Sequence, residues 1–130
     1  MRTRVKVCGL TRPQDVQAAV AAGVDGLGFV FCARSPRNLT LASAAALIAD
    51  VPALVSTVAL FMDPELEQVQ ALLDTAPVSL LQFHGSECAA FCESFGHPYI
   101  KAVAMGGAWV DVGRVAVGHP RAAGVLRDGN

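Results

Sequence analysis

A cysteine, a glycine and a threonine lie close together where the first apolar run of this 130-residue chain ends. Residues 6–12 read KVCGLTR, and Pro13 and Asp15 behind them are typical of the first turn of a helix. The Cys8 thiol is thereby predicted at the carboxyl end of a strand, where parallel α/β folds collect their active sites. Cys8 is a candidate general base or nucleophile, and the alternative is a small buried residue, a common location for free cysteine.

Four more ionisable side chains follow later apolar runs. Arg37 lies in the loop after the second run, His84 follows the fourth, Lys101 lies in the fifth and Asp128 ends the sixth. A thiol, a guanidinium, an imidazole and a carboxylate at one rim suit acid–base chemistry on an anionic small molecule. The alternatives are a solvated surface arginine at Arg37, a helix cap at His84 and a polar chain end at Asp128.

A second arrangement of candidate ligands occurs near the fourth run. His84, Cys88 and Cys92 recur at intervals of four residues, which on a helix brings three zinc ligands to one face. Structural zinc normally needs four ligands, and we expect His84 to lie in the loop before the helix. We therefore favour a helix that packs Cys88 and Cys92, with Phe91 and Phe95, on a sheet, with no metal.

Apolar, β-branched runs alternate with helical patterns along the whole chain, as in repeated βα units. Strands are predicted near residues 4–7, 26–31, 55–61, 79–83, 99–103 and 124–126, and helices near 13–22, 41–50, 64–74, 86–95 and 110–118. No linker separates them, so we expect one domain over residues 1–130. Six such strands suit either a doubly wound sheet or the first part of an eight-stranded barrel, which needs roughly 200 residues or more.

Composition and charge exclude some partners. A net charge of −1 with no basic run predicts neither nucleic-acid binding nor attachment to an anionic membrane surface. The most apolar window, residues 41–62, contains Asp50 and Pro52 at its centre and is predicted to form a helix, a turn and a strand rather than a membrane span. The amino terminus has no signal-peptide core, so we expect a cytoplasmic protein with reduced thiols.

Taken together, these motifs resemble one family, the phosphoribosylanthranilate isomerases of tryptophan biosynthesis. The matching segments are KVCGLT at residues 6–11, GFVF at 28–31 with SPR at 35–37, VALF at 58–61, LLQFHG at 80–85, YIKA at 99–102 and GVLRD at 124–128. Their order and spacing match over nearly the whole chain.

The resemblance implies a TIM (β/α)₈-barrel family fold and an Amadori rearrangement of N-(5-phosphoribosyl)anthranilate, an intramolecular oxidoreduction that uses neither metal nor organic cofactor. It assigns Cys8 as the general base and Asp128 as the general acid. Arg37 is expected near the anthranilate carboxylate, and His84 is expected to line the substrate site.

The chain also departs from the family. The family binds the substrate phosphate in loops after strands seven and eight, and no segment here corresponds to those loops. We therefore expect a C-terminally truncated chain with about the first six βα units. The alternative to an active isomerase is a non-catalytic barrel remnant that self-associates through open sheet edges or needs a complementary chain.

Overall fold

Six strands and five helices alternate along the chain in the computed structural model, which describes residues 2–104 and 111–128, with the backbone alone for residue 128. The strands are β1 (Lys6–Cys8), β2 (Gly26–Phe31), β3 (Ser56–Phe61), β4 (Leu80–Phe83), β5 (Tyr99–Ala104) and β6 (Gly124–Asp128). The helices are α1 (Pro13–Ala21), α2 (Leu41–Ala49), α3 (Leu66–Thr75), α4 (Ala89–Glu93) and α5 (Val112–Gly118). The predicted alternation of strands and helices is confirmed.

The order of the strands distinguishes between the two folds that the sequence allowed. All neighbouring strands are parallel, and they follow one another as β1-β2-β3-β4-β5-β6. A doubly wound sheet reverses its strand order at a switch point, whereas a barrel adds each strand beside the previous one. The barrel-family prediction is confirmed and the doubly wound alternative is wrong.

Side chains of alternate residues divide between the two faces of the sheet. The face toward the helices carries the larger part of the hydrophobic core, including Phe31, Phe61 and Phe83, which pair across β2, β3 and β4. Their ring centroids are 5.4 and 6.3 Å apart, and all three rings are buried. Helices α1 to α4 each bury apolar side chains against this face, which fixes the helix layer on one side of the sheet.

The opposite face is concave. The ammonium group of Lys6 on β1 donates a hydrogen bond to the amide oxygen of Gln82 on β4. In a flat sheet these strands would lie about 14 Å apart, since neighbouring strands are spaced by about 4.8 Å. A direct side-chain contact between them therefore requires the sheet to curl, as it does in a barrel wall.

Several predicted boundaries differ from the structure by a few residues, and those of the first strand and the fourth helix bear on the site. The first strand covers Lys6–Cys8 rather than residues 4–7, so Cys8 is its last residue instead of following it. Helix α4 covers Ala89–Glu93 rather than residues 86–95. Its predicted first turn is instead part of the preceding loop, where the backbone N–H of Ser86 donates to the Asp63 carboxylate at 2.7 Å.

None of the helices in the described part of the chain has the length and apolar character needed to cross a membrane. The most apolar window of the sequence divides into helix α2 and strand β3, as predicted.

Candidate active site

Cys8 lies at the carboxyl end of β1, opposite Gly28 of β2. A Cβ atom added at Gly28 would be 2.8 Å from the Cys8 Sγ, so the absence of a side chain there makes room for the thiol. Beyond Cys8 the chain turns at Gly9, whose φ of +86° favours glycine. The N–H of Gly9 donates to the Gly28 carbonyl at 3.0 Å, which fixes the turn beside the thiol.

Arg37 extends from the loop after β2 toward this turn. Its Nη1 donates to the carbonyl oxygen of Cys8 at 3.3 Å, and a Cβ at Gly9 would be only 2.3 Å from the same nitrogen. The backbone N–H of Arg37 donates to the Ser35 hydroxyl at 3.1 Å, which orients the loop. Arg37 is exposed, so the guanidinium N–H groups that do not contact Cys8 face solvent, where a guanidinium can bind an anion.

His84 directly follows β4 and is half-buried. Its N–H donates to the carbonyl of Phe61 at 2.9 Å, so the parallel ladder between β3 and β4 continues through it. His84 thus lies at the same edge of the sheet as Cys8, with β2 and β3 between their strands. The structure places Arg37 against Cys8 directly and His84 further along the rim.

Asp128 is the last residue of β6, and its backbone pairs with Ala104 of β5. Its side chain lies outside the described residues, so the predicted role of its carboxylate stays a prediction.

Lys101 does not belong to the rim, contrary to our expectation. Its register with Phe83 and Val125 puts it on the helix-facing side of the sheet, where its side chain is 7% exposed. There its Nζ lies 3.0 Å from a carboxylate oxygen of Glu87, which is also buried. The sequence analysis assigns no functional role to Glu87; the available signal was an acidic residue directly after His84, Gly85 and Ser86 and before the apolar run CAAF.

The three candidate zinc ligands are not brought together. His84 lies in a loop, as expected, and Cys92 is buried in the core beneath α4. The expectation that Cys88 packs on the sheet is wrong, because Cys88 precedes the first turn of α4 and is exposed. Among the described residues, no three histidine, cysteine or acidic side chains are placed to bind a metal ion. Burial raises the pKa of the Cys92 thiol to about 12, assisted by the nearby Glu87 carboxylate, so Cys92 is a neutral core residue.

Comparison with known sequences gives one consistent result. Residues 5–113 match the family model described as N-(5′-phosphoribosyl)anthranilate (PRA) isomerase. The chain is 46% identical over 128 residues to the protein of that name from Halorhodospira halophila and 48% identical over 128 residues to that from Thiobacillus denitrificans. It is covered to 98% in both alignments but spans only 61% and 62% of those relatives.

Solved structures agree with the sequences. The phosphoribosyl anthranilate isomerase of Thermus thermophilus superposes with a TM-score of 0.85 at 33% identity, covering 98% of this chain and 62% of that one. A second isomerase, solved in complex with reduced 1-(o-carboxyphenylamino)-1-deoxyribulose 5-phosphate, also gives 0.85, at 28% identity, covering 98% of this chain and 65% of that one. The curled six-stranded sheet therefore spans less than two thirds of the length of these solved chains.

Proposed function

This chain belongs to the N-(5′-phosphoribosyl)anthranilate isomerase family, and from that premise we propose that residues 1–130 form a single partial barrel domain that carries the family's acid–base machinery. The reaction is the conversion of N-(5-phosphoribosyl)anthranilate to 1-(2-carboxyphenylamino)-1-deoxyribulose 5-phosphate in the cytoplasm, with neither metal nor organic cofactor. The observation that supports it is the position of Cys8 at a strand end, with the Arg37 guanidinium against its carbonyl oxygen.

In this proposal Asp128 acts first, as general acid. It protonates the ring oxygen of the ribose as the bond from that oxygen to C1 breaks, and the anthranilate nitrogen supplies electrons to form an iminium. The positive charge makes the neighbouring C2–H acidic. Cys8, as the thiolate, then removes the C2 proton, and the electrons of the C2–H bond form a C1=C2 double bond while the iminium nitrogen is neutralised, which gives an enolamine. The enolamine takes up a proton at C1 and loses the proton of its C2 hydroxyl, which gives the ketose.

Arg37 binds the anthranilate carboxylate in this scheme. A guanidinium can hold a carboxylate by two parallel hydrogen bonds, and its contact with the Cys8 carbonyl sets its distance from the base. His84 lines the substrate site from the end of β4. The phosphate of the substrate needs an anion-binding group other than Arg37.

The second candidate role is association with another chain through the edge strands of the sheet. Among the described strands, β1 pairs only with β2 and β6 only with β5, so these two are the edge strands of the sheet. We propose that the chain associates through these edges, with a second copy or with a complementary chain. In that case its isolated form is a barrel remnant without activity.

The deciding experiment is turnover of N-(5-phosphoribosyl)anthranilate by the purified chain, followed as loss of anthranilate-type fluorescence. Cys8→Ala is the test variant, and Cys32→Ala, which removes another half-buried thiol, is the matched control. Activity that is abolished only in Cys8→Ala supports the isomerase. A folded chain without activity supports the remnant, and equal activity in both variants contradicts the role of Cys8.

A further inference from the structure

One buried ion pair lies outside the catalytic set. The Nζ of Lys101 is 3.0 Å from the Glu87 Oε1, and the two side chains are 7% and 2% exposed. Both lie on the helix-facing side of the sheet, which is lined mostly by apolar and aromatic residues.

The Glu87 carboxylate joins two loops at the carboxyl edge of the sheet. Its Oε2 accepts a hydrogen bond from the N–H of Asp63, in the loop after β3, at 2.8 Å. Its Oε1 accepts from the N–H of Gly85, in the loop after β4, at 2.9 Å. One side chain thus satisfies backbone donors from two different loops.

Lys101, on β5, connects this strand to Glu87 and to the loop after β4. Besides Glu87, its ammonium group donates to the carbonyl of Phe83 at 3.5 Å and to the carbonyl of Gly85. Phe83 and Gly85 are the residues on either side of His84. The backbone around His84 is therefore attached to β5 on both sides.

The loop after β3 also accepts a hydrogen bond from the loop after β4. Asp63 has a φ of +46°, and its Oδ1 accepts from the N–H of Ser86 at 2.7 Å. A Cβ at Gly85 would be 2.5 Å from the Asp63 carboxylate, so only glycine fits between the two loops. Glu87 and Asp63 together form a reciprocal set of bonds between the loops.

A buried ion pair adds little stability compared with apolar residues of similar volume, because both charges lose their hydration. The bonds of Glu87 are instead directed at backbone groups on either side of a site residue. We infer that Glu87, with Lys101 as its counterion, is a positioning residue that fixes the loops after β3 and β4, and with them His84, relative to β5. The role assigned to His84 rests on the proposed function.

The first test uses the unmodified chain. If Glu87 holds both loops, the amides of Asp63 and Gly85 should exchange with solvent at least about 100-fold more slowly than in an unstructured peptide, although both lie outside the strands. Exchange at the unprotected rate at either amide would overturn the inference.

The second test removes the pair. In Glu87→Met/Lys101→Met the core gains two apolar side chains, so we expect the variant to fold. The Asp63 and Gly85 amides should exchange at least tenfold faster, and the His84 ring resonances should shift and broaden in NMR spectra. The matched control, Arg12→Met/Asp15→Met, removes an exposed pair on the first turn of α1 and should change neither readout.

A folded double variant with unchanged exchange and unchanged His84 resonances would overturn the inference. If the variant fails to fold, exchange in the unmodified chain decides alone. Neither readout depends on turnover, so a chain without isomerase activity would remove the proposed function and leave this test intact.

Discussion

At the scale of single residues, the candidate base depends on two neighbouring glycines. Gly28 leaves the space that the Cys8 thiol occupies, and Gly9 allows both the positive φ of the turn and the close approach of Arg37. The thiol and the guanidinium are therefore positioned by backbone that carries no side chain.

Gly28→Ala should displace the Cys8 side chain. The new Cβ would be 2.8 Å from Sγ and 3.1 Å from the Cα of Cys8, so the backbone has to shift. We expect a loss of about 1–3 kcal/mol in the free energy of unfolding, measured by urea denaturation, and an altered alkylation rate at Cys8. Gly26→Ala is the control, since its nearest contact would be an ordinary 3.5 Å. Equal losses in both variants would contradict the steric argument.

The thiols of Cys92 and Cys88 should differ in reactivity. Cys92 is buried, and burial raises its pKa to about 12, so its thiolate fraction near neutral pH is very small. Cys88 is exposed. In the folded chain we expect Cys92 to be alkylated at least about 100-fold more slowly than Cys88, and at a similar rate in urea, as measured by mass spectrometry. Similar rates without urea would mean that α4 does not cover Cys92.

At the scale of elements, the helices begin with different amounts of side-chain support. The Thr40 hydroxyl accepts from the N–H of Ser43 at 3.1 Å and caps α2, whereas the residues before α1 and α3 make no such bond. Pro13 opens α1 instead, with a φ already suited to a helix. The Thr40 cap thus marks the start of helix α2, and the high helix propensity of the alanines that follow favours its continuation.

Thr40→Ala should remove the hydrogen bond between the Thr40 hydroxyl and the Ser43 N–H. Among the described residues, no other side chain accepts from a backbone N–H at the start of α2. The expected cost is about 1 kcal/mol in the free energy of unfolding. Thr75→Ala is the control, because that hydroxyl only donates to the carbonyl of Ala71 in the last turn of α3, and we expect a change within about 0.5 kcal/mol. Chemical denaturation of the two variants checks the difference, and equal costs would count against the cap.

A buried histidine connects the end of α5 to β5. The Nδ1 of His119 lies 3.0 Å from the Tyr99 hydroxyl, and the two rings meet edge to face with centroids 5.9 Å apart. Burial lowers the pKa of His119 below 6.5, and the Lys101 charge lowers it further. This lowering of the pKa is partly offset by the negative charges of Glu87 and Glu93 and by a hydrogen bond with the Glu87 backbone. The folded state therefore favours the neutral ring.

This shift should make the stability depend on pH. Above pH 6.5 the His119 ring is neutral in both the folded and the unfolded state, so its full contribution to the free energy of unfolding is present. As the pH falls below 6.5 toward the pKa of His119 in the folded state, the unfolded state binds the proton more readily and the free energy of unfolding decreases. Urea denaturation between pH 5 and 8 should show this fall in the unmodified chain and a smaller fall in His119→Gln. Tyr99→Phe should keep the fall, since burial is its main cause. An identical fall in His119→Gln would contradict this explanation.

At the scale of the whole molecule, the described sheet has a closed helix-covered face and an open concave one. Leu54 is fully exposed, and Leu80, Ile100 and Leu126 are only partly covered on the concave side. Together with the edge strands β1 and β6, these side chains form the surface to which we assign the proposed association.

Leu126→Lys should weaken self-association. It puts a charge on the concave face in the edge strand β6, and losing the burial of one leucine is worth about 1.5–3 kcal/mol, or roughly tenfold or more in the dissociation constant. Val117→Lys, on the 80%-exposed surface of α5, is the matched control and should leave association unchanged. Sedimentation velocity over a concentration series measures both. A chain that stays monomeric at high concentration would remove the proposed association.

The local features of this fold could be predicted from the sequence. In the described part of the chain, the pattern of apolar residues located the strands and helices to within a few residues, and the turn at Gly9 placed the Cys8 thiol at a strand end. Pro13 marked the start of the first helix. These signals were sufficient because each depends on residues a few positions apart, whose backbone preferences act before any long-range contact forms.

The tertiary structure decided what depends on distant residues. The sequential strand order selected a barrel wall over a doubly wound sheet, the contact of Arg37 with Cys8 joined residues 29 positions apart, and Lys101 turned out to pair with Glu87 beneath the helices. The same local pattern is compatible with several strand orders, and the side of the sheet on which a charge is buried depends on finding a partner there. Only the folded arrangement of strands supplies that partner.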